Sequence, residues 1–118
     1  MKSLGFFGKL LFVIPLAVFG LFHFMNASSM AGYVPGFLPI QEAWVYLTGL
    51  GFILSAVAIL INKKAKLATI LLGVMLLSFA VLVHMGGFFD GDPMQSANFL
   101  KAISLSGAAF FMSSKVNN

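Results

Sequence analysis

The sequence predicts an all-α membrane protein, a bundle of four transmembrane helices with both termini on the cytoplasmic side. Two observations predict this class. The 118 residues are 60% hydrophobic and 8% charged, which is more apolar surface than a water-soluble domain of this size can bury. The apolar residues also fall into four runs, each close to the roughly 20 residues that cross about 30 Å of hydrocarbon.

We place the four runs at about 6–25, 43–61, 67–86 and 97–112, in one transmembrane domain over 1–118. Helices are expected because a bilayer offers no water to unpaired backbone groups, and no run alternates like a barrel strand. The first run is longer than the about 7–15 apolar residues of a signal peptide, so we predict a span. The fourth contains Lys101 and two serines, and an interfacial amphipathic helix is its alternative.

Lysine placement predicts the orientation. The lysines that precede the first run, separate the second from the third, or follow the fourth are Lys2, Lys9, Lys63, Lys64, Lys66 and Lys115. Four crossings put all of these on one side, which the positive-inside rule assigns to the cytoplasm. Lys101 is the exception, about one turn into the fourth run, where its stem can lie along apolar surface while its ammonium reaches the outer interface.

Composition excludes several kinds of site. There is no cysteine, so disulfides, iron–sulfur clusters and zinc thiolate sites are ruled out. The net charge of +4 could suggest nucleic acid, but scattered lysines form no basic stripe. We therefore expect the lipid bilayer as the partner, and no nucleic acid.

The segment 26–42 is predicted to fold onto the outer end of the bundle as a lid. Pro35, Gly36 and Pro39, spaced among apolar side chains, prevent a regular helix, yet the segment is too apolar for a solvated linker. Tyr33 lies in it, and Trp44 and Tyr46 follow at the depth of an interfacial aromatic belt. All three are candidates for lining a ligand site.

The ionisable residues nearest the outer surface are the candidate functional site. His23 and His84 each lie two residues before the end of an outward-running span, so both imidazoles should reach a similar depth. The other candidates within about two turns of that level are Glu42, Asp90, Asp92 and Lys101. Polar side chains inside membranes are costly and usually face a bundle interior or a cavity, so we expect one outer-leaflet polar cluster.

Three interpretations of the histidines remain open. They can be structural and bond loop carbonyls, they can form a proton-handling or small-ligand site, or they can ligate a metal or haem. No metal-binding motif surrounds them, so we predict no metal, and we assign no catalytic residue. Two pairs of small residues, Gly51 with Ser55 and Ser104 with Ala108, are expected to be packing faces inside the bundle.

Several short segments resemble the DoxX-like family of small bacterial membrane proteins. They are Phe19-Gly20-Leu21-Phe22-His23-Phe24, Val34-Pro35, Tyr46-Leu47-Thr48-Gly49 and Val83-His84. The resemblance implies a four-helix, multi-pass protein of the bacterial inner membrane, with a fold shared with the membrane subunit of thiosulfate:quinone oxidoreductase. The family has no single established reaction, so it assigns no role to either histidine. Many members begin the first helix with arginine where this chain has Lys9, which keeps the charge but not the bidentate geometry.

Three functions are compatible with these observations. We favour a non-catalytic accessory or assembly subunit with protein partners in a membrane complex, because about 12.7 kDa of mostly spanning helix leaves little extramembrane apparatus. A redox complex is one candidate for that assembly. A redox subunit that binds quinone near His23, His84 and Trp44 is the first alternative. A small oligomeric transporter is the second, although few buried polar groups argue against an aqueous pathway in a monomer.

Overall fold

The computed structural model describes residues 2–116, apart from the side chains of Lys2 and Tyr33. Four long helices dominate: α1 (Lys2–Met25), α3 (Gln41–Ile61), α4 (Ala65–Phe79) and α6 (Pro93–Ser113). Short α2 (Ala27–Met30) leads into a 3₁₀ turn (Ala31–Tyr33), and a π turn (Ala80–His84) continues α4 into short α5 (Met85–Phe89). Residues 2–116 contain no β-strand, so the predicted all-helical class is confirmed.

Three helices are long and apolar enough to cross a membrane. They are Ser3–Met25, Gln41–Ile61 and the continuous stretch Ala65–Phe89. Most of their side chains face outward and are apolar, as a lipid environment requires. These helices support a membrane location. The fourth long helix, α6, has 21 residues but is less apolar than the other three.

The long helices pack as two close pairs. α1 lies against α3, α4 lies against α6, and the facing sides of α3 and α4 join the pairs. One core cluster contains side chains from all four: Val13 and Leu16 of α1, Phe52, Ala56 and Ile59 of α3, Leu72 and Leu76 of α4, and Ala109 of α6. The core is therefore continuous across the bundle.

Glycines set the close approach inside each pair. A Cβ at Gly20 would lie 2.8 Å from the carbonyl oxygen of Gly49, and a Cβ at Gly49 would lie 2.6 Å from the Cβ of His23. In the other pair, a Cβ at Gly73 would overlap the ring of Phe110. These backbones approach so closely because no side chain separates them.

Two turns fix the helix ends. α3 ends at Asn62, which is left-handed (φ 58°), while the Lys63 amide donates to the Ala58 carbonyl at 3.1 Å. This is a Schellman motif. Lys64 is also left-handed (φ 56°), so only 62–64 separate α3 from α4. At the other end, α6 begins at Pro93, about four residues earlier than predicted, because Asp92 caps it.

Candidate functional site

His23 lies inside the α1–α3 pair and is only 4% exposed. Its ring packs edge-on against Phe19, with centroids 4.8 Å apart, and is tilted against Phe52 at 5.3 Å. Nδ1 lies 2.8 Å from the Phe19 carbonyl oxygen. Because a carbonyl can only accept, Nδ1 is the donor, which leaves Nε2 of a neutral ring as an acceptor. No polar atom of the described side chains bonds to Nε2.

His84 lies at the end of the π turn and is half-buried. Its Nδ1 donates to the side-chain oxygen of Gln95 at 2.7 Å, which joins the π turn to the first turn of α6. Nε2 is again the nitrogen left to accept. Isolated π turns within helices are often found at functional sites because the extra residue shifts a side chain out of the regular helical register.

The Asp92 side chain caps the N-terminus of α6. One carboxylate oxygen, Oδ1, accepts from the backbone amides of Met94 at 3.0 Å and Gln95 at 3.4 Å, which are unpaired donors of the first turn of α6. Pro93 occupies the next position, where its missing N–H costs nothing. The cap therefore also positions Gln95, the partner of His84.

The other predicted site residues are on the surface. Glu42, Asp90 and Lys101 are exposed, and within the described part of the chain none of them makes a side-chain hydrogen bond or ion pair. The described residues contain no group of three His, Asp or Glu side chains that could hold a metal ion.

The two histidines belong to different helix pairs. His23 contacts α3 through Phe52 and Gly49, whereas His84 is bonded to α6 through Gln95. No hydrogen bond or ion pair links any two of the six predicted site residues in the range 2–116. Each imidazole is oriented through Nδ1 by its own acceptor, the Phe19 carbonyl for His23 and the Gln95 side chain for His84.

The segment 26–42 is attached to α3 by two side chains. The Trp44 indole donates to the Pro39 carbonyl at 2.9 Å, and the Gln41 amide donates to the Val34 carbonyl at 2.9 Å. Tyr46 packs its ring against Phe24, with centroids 5.6 Å apart. The third predicted lining residue, Tyr33, lies outside the described side chains.

The pair Ser104 and Ala108 does not pack inside the bundle as expected. Both are exposed, because Ala102, Ser106 and Ala109 form the buried side of α6 instead. A shallow groove of about 570 Å³, open over most of its surface and bounded by α6 alone, follows this outward face and is lined by Ser104, Gly107, Ala108, Phe111, Met112 and Lys115. A Cβ at Gly107 would meet nothing within 4 Å. We name these six residues the outward face of α6.

A second groove, of about 260 Å³, runs between α3 and α4. Gly51 and Ser55, the other expected packing pair, lie in its wall with Lys64 at one end. Ser55 is buried and Gly51 half-buried, so this pair does face the α3–α4 junction.

The chain can now be placed in a family. The family described as Domain of unknown function (DUF8561) matches residues 12–102, more than half of the 118 residues. The chain belongs to this family. The DUF8561 match runs from α1 to the middle of α6 and includes both histidines, Asp92 and Gln95. No curated protein and no solved structure matches the chain.

Gln95 is the site residue that the sequence analysis missed. The signal that could have found it is the spacing Asp92-Pro93-Met94-Gln95, which fits the start of a helix with an acidic cap and an amide at the third helical position. The structure departs from the usual capping box, because the Gln95 amide group is bonded to His84.

Proposed function

We propose that this DUF8561 protein is a non-catalytic accessory or assembly subunit of a bacterial inner-membrane complex, and that a transmembrane helix of its partner packs on the outward face of α6. The observation that carries the proposal is Gly107. This glycine lies within a helix, yet a Cβ at its position would meet no described atom within 4 Å.

A glycine in a helix is destabilising by about 1 kcal/mol relative to alanine. At Gly20, Gly49 and Gly73 the close approach of a neighbouring helix or ring accounts for that cost. Gly5, Gly8, Gly86 and Gly107 have no such neighbour within the described chain. What distinguishes Gly107 from the other three is that it shares one outward face with the small side chains of Ser104 and Ala108. Faces of this composition allow transmembrane helices of separate chains to approach closely.

The proposal includes α6 as the fourth span, with both termini in the cytoplasm. Its 21 residues measure about 31 Å at 1.5 Å per residue, close to the roughly 30 Å hydrocarbon core. α6 lies along α4, which is apolar enough to span, and its exposed side chains include Leu100, Ile103 and Phe111. The six lysines outside α6 agree with this orientation.

The resemblance to DoxX-like proteins supports a redox complex as the setting. That resemblance implies a fold shared with the membrane subunit of a quinone-dependent oxidoreductase. The separate placement of His23 and His84, without a bonded cluster, is also compatible with a subunit that stabilises a complex rather than one that turns over substrate.

The test compares two glycine variants in tagged protein purified from its own membranes in a mild detergent. Gly107→Leu should abolish the co-purification of a stoichiometric membrane partner. Gly8→Leu is the matched control, because Gly8 also lies in a long helix and its Cβ would meet nothing within 4 Å. Retention of the partner by Gly107→Leu, or its equal loss from both variants, would contradict the proposal.

A crosslinking position locates the interface independently. A photoreactive residue at Ala108 should give a defined protein adduct, whereas one at Ile103, which is also exposed on α6 but does not line the groove, should not. Equal adducts from both positions would show that α6 meets its neighbours without a specific face.

The second candidate function is a quinone-binding redox subunit, and the specific observation that favours it is the π turn at His84. Hydrogen bonds through Nδ1 leave Nε2 of both histidines available to accept a hydrogen bond from a quinol hydroxyl and to take its proton. Purified protein should then contain quinone, and His84→Gln should fold with normal helix content but lose it. Quinone retained by His84→Gln would exclude a role for this imidazole.

A further inference from the structure

The groove between α3 and α4 has an unusual combination of walls. Small side chains from both helices form its floor, and exposed leucines flank it; its lining is Gly51, Leu54, Ser55, Ala58, Lys64, Leu67, Ala68, Leu71, Leu72 and Met75. The groove is open to the outside of the bundle along two helices that are long and apolar enough to span. We call it the α3–α4 groove.

The length of the groove matches one leaflet. Along α4 it extends from Lys64 to Met75, which is eleven residues or about 16 Å at 1.5 Å per residue. Half of a roughly 30 Å hydrocarbon core is about 15 Å. Met75 closes the deep end, since its sulfur would lie 3.2 Å from a Cβ at Gly51. The apolar part therefore has the length of one lipid chain.

Positive charge is concentrated at the open end. Lys64 lines the groove, and Lys63 and Lys66 are exposed on either side of it in the chain. The three acidic residues of the chain lie elsewhere: Glu42 is at the far end of α3, and Asp90 and Asp92 follow the far end of α5.

The nearest acidic side chain is therefore about a helix length from the lysines, since α3 spans 21 residues or about 31 Å. That distance is several times the Debye length of about 8 Å at physiological ionic strength. No acidic side chain lies near enough to neutralise Lys63, Lys64 and Lys66, so an anionic ligand could pair with them.

We propose that the α3–α4 groove binds an anionic glycerophospholipid, with its phosphate at Lys64 and one acyl chain lying along Ala58 and Ser55 toward Gly51. Basic pockets between transmembrane helices bind phosphate head groups in this way. The proposal depends neither on the outward face of α6 nor on the function of the complex, because it uses only α3, α4 and the connection between them.

A lipid fits this groove better than a partner helix does. An α-helix about 10 Å across has a cross-section of roughly 80 Å². The groove is much narrower, because about 260 Å³ spread over its length of about 16 Å is a mean cross-section of roughly 16 Å². A helix would also place its own side chains against Lys64, while a phosphate matches that charge directly. The acyl chain needs only the narrow apolar floor.

The first test measures lipid selectivity of the full chain. Protein stripped of lipid in detergent is titrated with dioleoylphosphatidylglycerol or dioleoylphosphatidylcholine, and bound lipid is counted by native mass spectrometry. We expect at least about tenfold tighter binding of the anionic lipid. Lys64→Gln should weaken it about fivefold, which corresponds to about 1 kcal/mol for one lysine near a phosphate.

Lys9→Gln is the charge-matched control and should leave the binding of dioleoylphosphatidylglycerol unchanged, because Lys9 lies in α1 and does not line the groove. Equal binding of the two lipids, or equal effects of Lys64→Gln and Lys9→Gln, would overturn the proposal.

The second test fills the groove without changing charge. Ala58→Leu should weaken binding of dioleoylphosphatidylglycerol at least about tenfold, because the added side chain would occupy the part of the groove where the acyl chain lies. Val57→Phe adds bulk at the residue of α3 that precedes Ala58. Val57 is exposed and lies outside the groove, so this variant should have no effect. Ala68→Leu, on the opposite wall, should repeat the loss if Ala58→Leu lowers the helix content.

A photoreactive residue at Leu71 identifies the occupant in native membranes. Leu71 is 57% exposed and lines the groove, so an adduct with the mass of a phospholipid is expected. An adduct with a second copy of the chain or with another protein would overturn the proposal, as would undiminished lipid binding by both groove-filling variants.

Discussion

The imidazole of His84 donates from Nδ1 to Oε1 of Gln95 over 2.7 Å, eleven residues apart in the chain. Gln95 is held at two further points. Its backbone amide donates to Asp92, and its Cβ and Cγ occupy the space that a side chain at Gly87 would need. The π turn, α5 and the first turn of α6 are therefore interlocked around one glutamine.

Replacing Gln95 with leucine should destabilise the fold, because the half-buried Nδ1–H of His84 would lose its acceptor. The expected decrease in the free energy of unfolding is about 1–3 kcal/mol, measured by thermal unfolding in detergent. The double variant His84→Leu/Gln95→Leu should be less destabilised than the sum of the single variants. Simple additivity would show that this hydrogen bond contributes little to stability.

Replacing Asp92 with alanine should cost about 1 kcal/mol, the usual loss when a side-chain cap is removed. The reason is that the amides of Met94 and Gln95 would lose their acceptor. Asp90→Ala is the control, because Asp90 is exposed and its side chain makes no hydrogen bond within the described residues. Amide hydrogen exchange in 94–95 should rise in the first variant only.

Replacing Gly49 with alanine should separate α1 from α3. The added Cβ would lie 2.6 Å from the Cβ of His23 and 3.0 Å from the Gly20 carbonyl oxygen, so backbone must move, at a cost of about 1–3 kcal/mol. Gly107→Ala should instead stabilise the isolated chain by up to about 1 kcal/mol, because its Cβ enters open space. Equal melting temperatures of the two variants would contradict the packing described for α1 and α3.

The helical class was predictable because it follows from hydropathy alone. A bilayer forces apolar runs of this length to be helical, whatever their neighbours are. The sequence also contains the signal for the start of α6, since Asp92 is its N-cap and Pro93 its first helical residue. The apolar run begins about four residues after this cap, so hydropathy alone predicts a later start for the helix.

Helix pairing was not predictable from the same data. Ser104 with Ala108 and Gly51 with Ser55 have the same spacing, yet only the second pair faces another helix of the chain. Which face of a helix turns inward depends on close contacts between distant residues, such as Gly73 with Phe110. The bond from His84 to Gln95 depends on the π turn, which hydropathy does not reveal.

Neutralising Lys63, Lys64 and Lys66 together should weaken the orientation of the chain in the membrane. They supply half of the six lysines assigned to the inner side. Lys63 and Lys64 lie in the shortest connection, and Lys66 lies in the first turn of α4. The measurement is the fraction of molecules with each orientation, read from protease protection of a C-terminal tag. An unchanged fraction would show that Lys2, Lys9 and Lys115 are sufficient.

The orientation itself can be tested with single cysteines, because the natural chain has none. With four crossings, Asp90→Cys and Ser28→Cys should react with a membrane-impermeant maleimide added to intact spheroplasts, whereas Ser3→Cys and Ser114→Cys should react only after lysis. The prediction follows from the lysine distribution and from the length of α6, which is sufficient to cross. If α6 instead lies in the interface, Ser114 stays on the same side as Asp90, and both cysteines react in intact spheroplasts. That result would remove the fourth span and place the outward face of α6 at the membrane surface, where a spanning partner helix could not pack along it.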